Sequence, residues 1–182
     1  MKLLGARGVF TLLRDKNQQP QDDDLHRSVV HNMTHLFLAD LFDATWLGNM
    51  KAAWVDEGLA HWFEDRGFGQ CTNFCYQEQN TLVGFKGGKW RQPVRSMAES
   101  GKMPSFAETS QKMSNQLTPQ EHALAFSYVD FLLARDAKAF PKLVSALQKK
   151  KPTREAIEVY GLTMMTFETE WKKWVLESYA KR

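Results

Sequence analysis

The sequence predicts a mainly α fold with a small β element. Apolar residues recur at helical spacing over about 25–42, 118–137 and 163–179. Thr118-Pro119-Gln120-Glu121 forms a capping box with proline at the first helical position, a strong helix start. The β element is assigned to the N-terminal segment 1–24, read as a strand or loop packed on the helices. The length of 182 residues suits one domain, 1–182. Its parts are this N-terminal segment, a helical pair over 25–66, an irregular insert over 67–117 and a helical part over 118–182.

Composition narrows the function classes. Apolar residues make up 43% and aromatics 12%, enough for a sizeable core. The net charge of +3 is too small to argue for nucleic acid. No run of 18 apolar residues occurs, so no membrane-spanning helix is expected. Met1 to Leu13 begins like a signal peptide, but Arg7 and two glycines interrupt it. The compartment stays unknown.

The first predicted helix runs from about Leu25 to Phe42. Asp22 to Asp24 suit its positive N-terminal end as caps. Leu25, Val29, Met33, Leu36, Phe37 and Leu41 supply the apolar stripe expected to bury it. His31 and His35 stand four apart, so they share a face and can aim two imidazoles at one point. Imidazole suits zinc. Thr34 between them either back-bonds to the helix, touches a ligand or fills space.

A loop with Gly48-Asn49 follows, then a helix over Ala52 to Arg66 closed by Gly67. Glu57, Ala60, His61 and Glu64 share one face of it. Glu57 is placed to be a third metal ligand.

The stretch His31-Asn32-Met33-Thr34-His35 resembles the H-E-x-x-H zinc motif with asparagine at the glutamate. Trp54-Val55-Asp56-Glu57-Gly58-Leu59-Ala60, running on to Glu64, resembles the W-x-x-E-G-x-A-x-x-x-E segment of the gluzincin, or peptidase MA-like, metallopeptidases. Twenty-one residues separate His35 from Glu57, which fits that family. The resemblance implies a gluzincin-like helical core with a reduced N-terminal sheet. It implies zinc held by His31, His35 and Glu57, and a polypeptide substrate or ligand in the cleft. Gly58 and Ala60 match small residues that let two helices approach. The resemblance suggests a bacterial extracytoplasmic protein. His61 stands where relatives carry an aspartate supporting a zinc histidine, and is either an orienting or fourth ligand or an exposed histidine.

In active members the motif glutamate is the general base. Asn32 occupies that position, and an amide has no titratable proton near neutral pH. Three readings therefore compete. The first keeps the metal triad but has lost efficient hydrolysis. The second is a working zinc peptidase that recruits another base, such as Asp56 or Glu64. The third is a helical scaffold without metal.

The rest of the chain adds two candidates. Cys71 and Cys75, four apart, read as free thiols rather than a strained disulfide. Leu82 to Arg95, with three glycines and Pro93, suggests a hairpin or loop; no Gly-Lys-Ser/Thr makes it a P-loop. Lys102 to Phe106 resembles the family's short connection into a helix. His122 matches a position where relatives often carry tyrosine. It is either a donor to the oxyanion of a tetrahedral intermediate or a surface histidine at a helix N-terminus. Short helices are expected over Ala139 to Gln148 and Thr153 to Val159, stopped by Gly161. The final helix carries Phe167, Trp171, Trp174 and Val175 as its core stripe.

Overall fold

A computed structural model describes residues 22–41, 46–71 and 85–180. Those residues contain eight α-helices and no strand. The helices are α1 (Asp22–Leu41), α2 (Ala53–Phe68), α3 (Arg91–Ser100), α4 (Phe106–Thr109), α5 (Pro119–Asp136), α6 (Phe140–Gln148), α7 (Thr153–Ala156) and α8 (Met164–Ser178). Short 3₁₀ segments lie at Leu47–Asn49, Phe85–Gly88, Ser114–Gln116 and Ile157–Tyr160. The mainly α class holds. The β element was placed on the N-terminal segment, most of which lies outside the described residues.

Helix α2 is the centre of the arrangement. It packs against both α1 and α5, and residues 53–61 are all buried. Gly58 makes the α2–α5 crossing possible. A Cβ on it would lie 2.4 Å from the Ala125 carbonyl oxygen and 2.7 Å from Val129 Cγ2. Only hydrogen fits there. Ala60 is likewise buried.

Beyond this crossing lies an aromatic core. Phe106 stacks on Phe167 with ring centroids 3.7 Å apart. Trp54, Tyr128 and Trp171 meet them or one another edge to face, the geometry ring quadrupoles favour. Two of the buried rings have partners for their polar handles, while the Tyr128 hydroxyl is buried without one among the described residues. Trp171 Nε1 donates to Ser127 Oγ at 2.9 Å, and the Tyr179 hydroxyl donates to Asp130 Oδ2 at 3.0 Å. Asp130 also accepts from Trp62 Nε1 and Arg91 Nη1. Arg95 Nη1 donates to the carbonyls of Leu176 and Tyr179, satisfying the end of α8.

Helix α5 begins as read. The Thr118 side chain accepts from the Glu121 amide, and the Glu121 carboxylate accepts from the Thr118 amide. Lys112 Nζ binds both carboxylate oxygens of Glu121. Along α8, Phe167, Trp171 and Val175 are buried as expected, while Trp174 is only partly so.

Several expectations are corrected. Asp22 and Asp23 lie within the first turn of α1 rather than ahead of it. Helix α2 runs past Gly67 and ends at Gly69, which takes the left-handed cap with φ 69°. Either glycine can cap; the helix continues to Phe68, whose ring lies under Arg27 of α1. The described parts of the 67–117 insert, 67–71 and 85–117, are more regular than expected; residues 82–84 of the expected hairpin or loop lie outside the described residues. The 85–100 portion is a 3₁₀ segment and α3, not a hairpin, because Lys86 and Gly87 absorb the turn at positive φ. Ser105 then caps α4 with a second capping box.

The largest correction concerns α1. Part of its expected core stripe faces outward: Val29, Met33 and Phe37 are 37%, 51% and 56% exposed, while Leu25 and Leu36 are half-buried. The buried face carries Ser28, His31, Thr34, His35 and Leu38. Hydrophobic periodicity is the usual guide to the inward face. Here a polar cluster on α2 claims the contact instead.

A polar cluster of four histidines and three carboxylates

His31 and His35 project from α1 one turn apart. Their Nε2 atoms lie 3.1 Å from each other. Glu57 Oε2, from α2, lies 3.6 Å from His31 Nε2 and 3.8 Å from His35 Nε2. The three residues read from the sequence as metal ligands thus converge on one point. His31 and Glu57 are fully buried, and His35 is 7% exposed.

The opposite nitrogen of each imidazole faces a carboxylate. His31 Nδ1 is 2.6 Å from Glu64 Oε1, and His35 Nδ1 is 3.0 Å from Asp56 Oδ2. Carboxylates in those places favour the Nδ1–H tautomer and leave the Nε2 lone pairs pointing inward. Two such lone pairs 3.1 Å apart repel unless a proton or a cation lies between them. In a tetrahedral zinc site with Zn–N near 2.0–2.1 Å, ligand nitrogens stand about 3.3 Å apart. The donor set fits a divalent metal: two imidazoles, one carboxylate, each with its second contact in place.

Other segments hold the carboxylates. Ser114 Oγ donates to Glu57 Oε1 at 2.6 Å, leaving Oε2 toward the histidines. Trp46 Nε1 donates to Asp56 Oδ2 at 2.6 Å. Gly48 lies between these two supports; a Cβ there would meet the Trp46 ring at 2.5 Å and Ser114 Oγ at 2.7 Å. The 3₁₀ turn at Leu47–Asn49, read only as a loop, therefore braces the site.

Of the other histidines, His26 is exposed, but His61 and His122 are not surface residues. His61 and His122 are both fully buried, and His61 Nε2 lies 3.1 Å from His122 Nδ1. His122 Nδ1 is 4.0 Å from Glu57 Oε2, and His61 Nδ1 is 3.7 Å from Glu64 Oε1. The exposed and surface readings of these residues are thus corrected. Their helical positions turn them toward each other and toward Glu57 and Glu64, not toward solvent. Burial drives the His61 pKa down to about 3, against the attraction of Glu64. Burial alone would raise Glu64, but the charge and hydrogen bond of His31 hold it at about 2.

Asn32 sits at the edge of this cluster. Its amide Nδ2 donates to the Ser28 carbonyl at 2.9 Å, so the side chain folds back on its own helix. Thr34 does the same, donating to Val30 at 2.8 Å. Asp56 and Glu64, the substitute bases considered from sequence, lie against the outer nitrogens of His35 and His31. Cys71 is a buried free thiol whose Sγ donates to the His61 carbonyl, and burial raises its pKa. Cys75 lies outside the described residues.

Sequence reasoning missed Ser114 and Trp46, which no local pattern ties to a metal site. A surface hollow of about 820 Å³, lined by Phe85, Lys89, Pro93 and Met97 among others, lies along α3 and includes none of the histidines. No described helix is long and apolar enough to cross a membrane. No protein-family model, curated protein or solved structure matches the chain.

Proposed function

We propose that this is a zinc-binding domain of the gluzincin metallopeptidase type that keeps its metal ligands and lacks the general base. One observation carries the reading: His31 Nε2, His35 Nε2 and Glu57 Oε2 face one buried point, with Asp56 and Glu64 behind the imidazoles. Zinc held there supplies Lewis acidity toward water and carbonyl oxygens. The ligand class implied by the family resemblance is an extended polypeptide.

The chain's own residues argue for weak or absent hydrolysis. Asn32 cannot accept and release a proton at neutral pH. Its amide is already engaged with the Ser28 carbonyl. Asp56 is committed to His35 and Trp46, and Glu64 to His31. Loss of a general base costs about 10²–10⁴-fold.

The test has two parts. The purified chain should carry zinc, measured by elemental analysis, and should cleave an unstructured protein at a rate close to background. Asn32→Glu should raise that rate by about 10²-fold or more, since a carboxylate cannot repeat the bond to Ser28 and is freed to reach the site. Asn32→Glu with Glu57→Ala should be inactive. Robust, chelator-sensitive cleavage by the native chain would show that another base operates. A chain that binds no zinc would remove the reading altogether.

A further inference from the structure

His61 and His122 are not needed for the three-ligand site, yet they repeat its construction. Their facing nitrogens, Nε2 and Nδ1, stand 3.1 Å apart, the same separation as the His31 and His35 pair. The outer nitrogen of His61 faces Glu64, the carboxylate that also backs His31. Glu57 Oε2 is 4.0 Å from His122 Nδ1, so it lies between the two histidine pairs. Ligand atoms of Glu57, His61 and His122 all fall within 4.8 Å of one another, as do those of His31, His35 and Glu57.

We propose that the cluster holds two divalent cations, the first between His31, His35 and Glu57 and the second between Glu57, His61 and His122. Glu57 is the shared ligand. The proposal rests on the reading that the first site binds metal, and adds the second to it. A shared carboxylate sets two ions close together; paired metal sites typically have separations of about 3.5–4 Å. The charge is suitable. Asp56, Glu57 and Glu64 are all buried here, more negative charge than one divalent ion balances. Mixed imidazole and carboxylate donors suit zinc, and also cobalt and manganese as probes.

The ligands are also held in place. The capping box at Thr118 and the Lys112–Glu121 pair fix the first turn of α5, which carries His122. The Trp90 ring packs edge-on against His61 at 4.6 Å between centroids. Ser114 sets the Glu57 carboxylate from its other oxygen. Pre-set ligands of this kind are what a metal site requires.

The experiment is a titration of the full chain, stripped with chelator, with zinc chloride followed by calorimetry and elemental analysis. Two ions per chain are expected. His122→Asn and His61→Gln, checked for helical content by circular dichroism, should each bind one. In parallel the native chain loaded with manganese should give the electron paramagnetic resonance spectrum of a spin-coupled pair, a readout that needs no variant. One ion per native chain, with an uncoupled manganese signal, overturns the second site and leaves the first standing. No bound ion overturns both. Two ions retained in folded His122→Asn would place the second ion elsewhere and overturn the assignment.

Discussion

The chain has two buried interiors built on opposite principles. Around Trp54, Phe106, Phe167 and Trp171 the contacts are between rings, and polar atoms are few. Between α1, α2 and the start of α5, the buried atoms are imidazole nitrogens and carboxylate oxygens. The first interior gains free energy from removing apolar area from water, roughly 25 cal/mol per Å². The second loses free energy on desolvation unless its charges are matched. Helix α2 takes part in both, with Trp54 in one and Glu57 in the other. The lesson is that stability is concentrated in the aromatic half, while the polar half costs stability unless its charges are matched.

That division can be broken most forcefully at Phe167. Phe167→Ala should cost about 3–5 kcal/mol, the usual loss for a buried aromatic ring. Denaturant unfolding measures it, and the folded fraction should still bind the proposed metal. A variant that unfolds cheaply but loses metal would show that the two interiors are one cooperative unit.

A smaller effect is expected from pH in the metal-free chain. His61 has a folded pKa of about 3 against 6.5 when unfolded. Between those values the unfolded chain holds a proton that the folded chain refuses. Stability therefore falls as pH drops below 6.5, by about 1.4 kcal/mol per pH unit, until pH approaches 3. Glu64, shifted from 4.5 to about 2, adds to the loss over that lower window. Urea midpoints at pH 7 and pH 5 would show this. A flat profile would mean that the histidine cluster opens before it is titrated.

The smallest effect is expected on the outward side of α1. Met33 is half exposed, so Met33→Ser should change stability by no more than about 0.5 kcal/mol. A larger loss would show that this apolar stripe is covered in solution. It would then count as a third interior.

These contrasts also explain what was legible in the sequence. The aromatic half follows from helical periodicity and caps: Thr118, Gly161 and the Phe167–Trp171–Val175 stripe all lie where a local pattern puts them. His31 and His35 were visible as a pair because spacing on a helix fixes relative direction; Glu57, on another helix, was reached through the family resemblance of its stretch. The orientation of α1 was not visible. Its apolar residues and its histidines occupy different faces, and periodicity favours the apolar one. What decides is the set of groups waiting on α2. Gly69 was overlooked in favour of Gly67 because cap chemistry cannot rank two glycines two residues apart. Ser114 was beyond reach for another reason. It stands 57 positions from Glu57, and only the path of the folded chain brings its hydroxyl to the carboxylate.

That hydroxyl has a consequence for the order in which the protein is made whole. His31 and His35 form a pair as soon as α1 is helical, so a metal ion can meet half a site early. Glu57 takes its final direction only when the Ser114–Gln116 turn has docked, and His122 arrives only with α5. Affinity for the ion must therefore rise as the later segments settle. By mass action a tight ligand stabilises the state that binds it best. Since α1 packs mainly on α2, an ion bound as proposed would be the fastening that keeps the first helix from lifting away on its own.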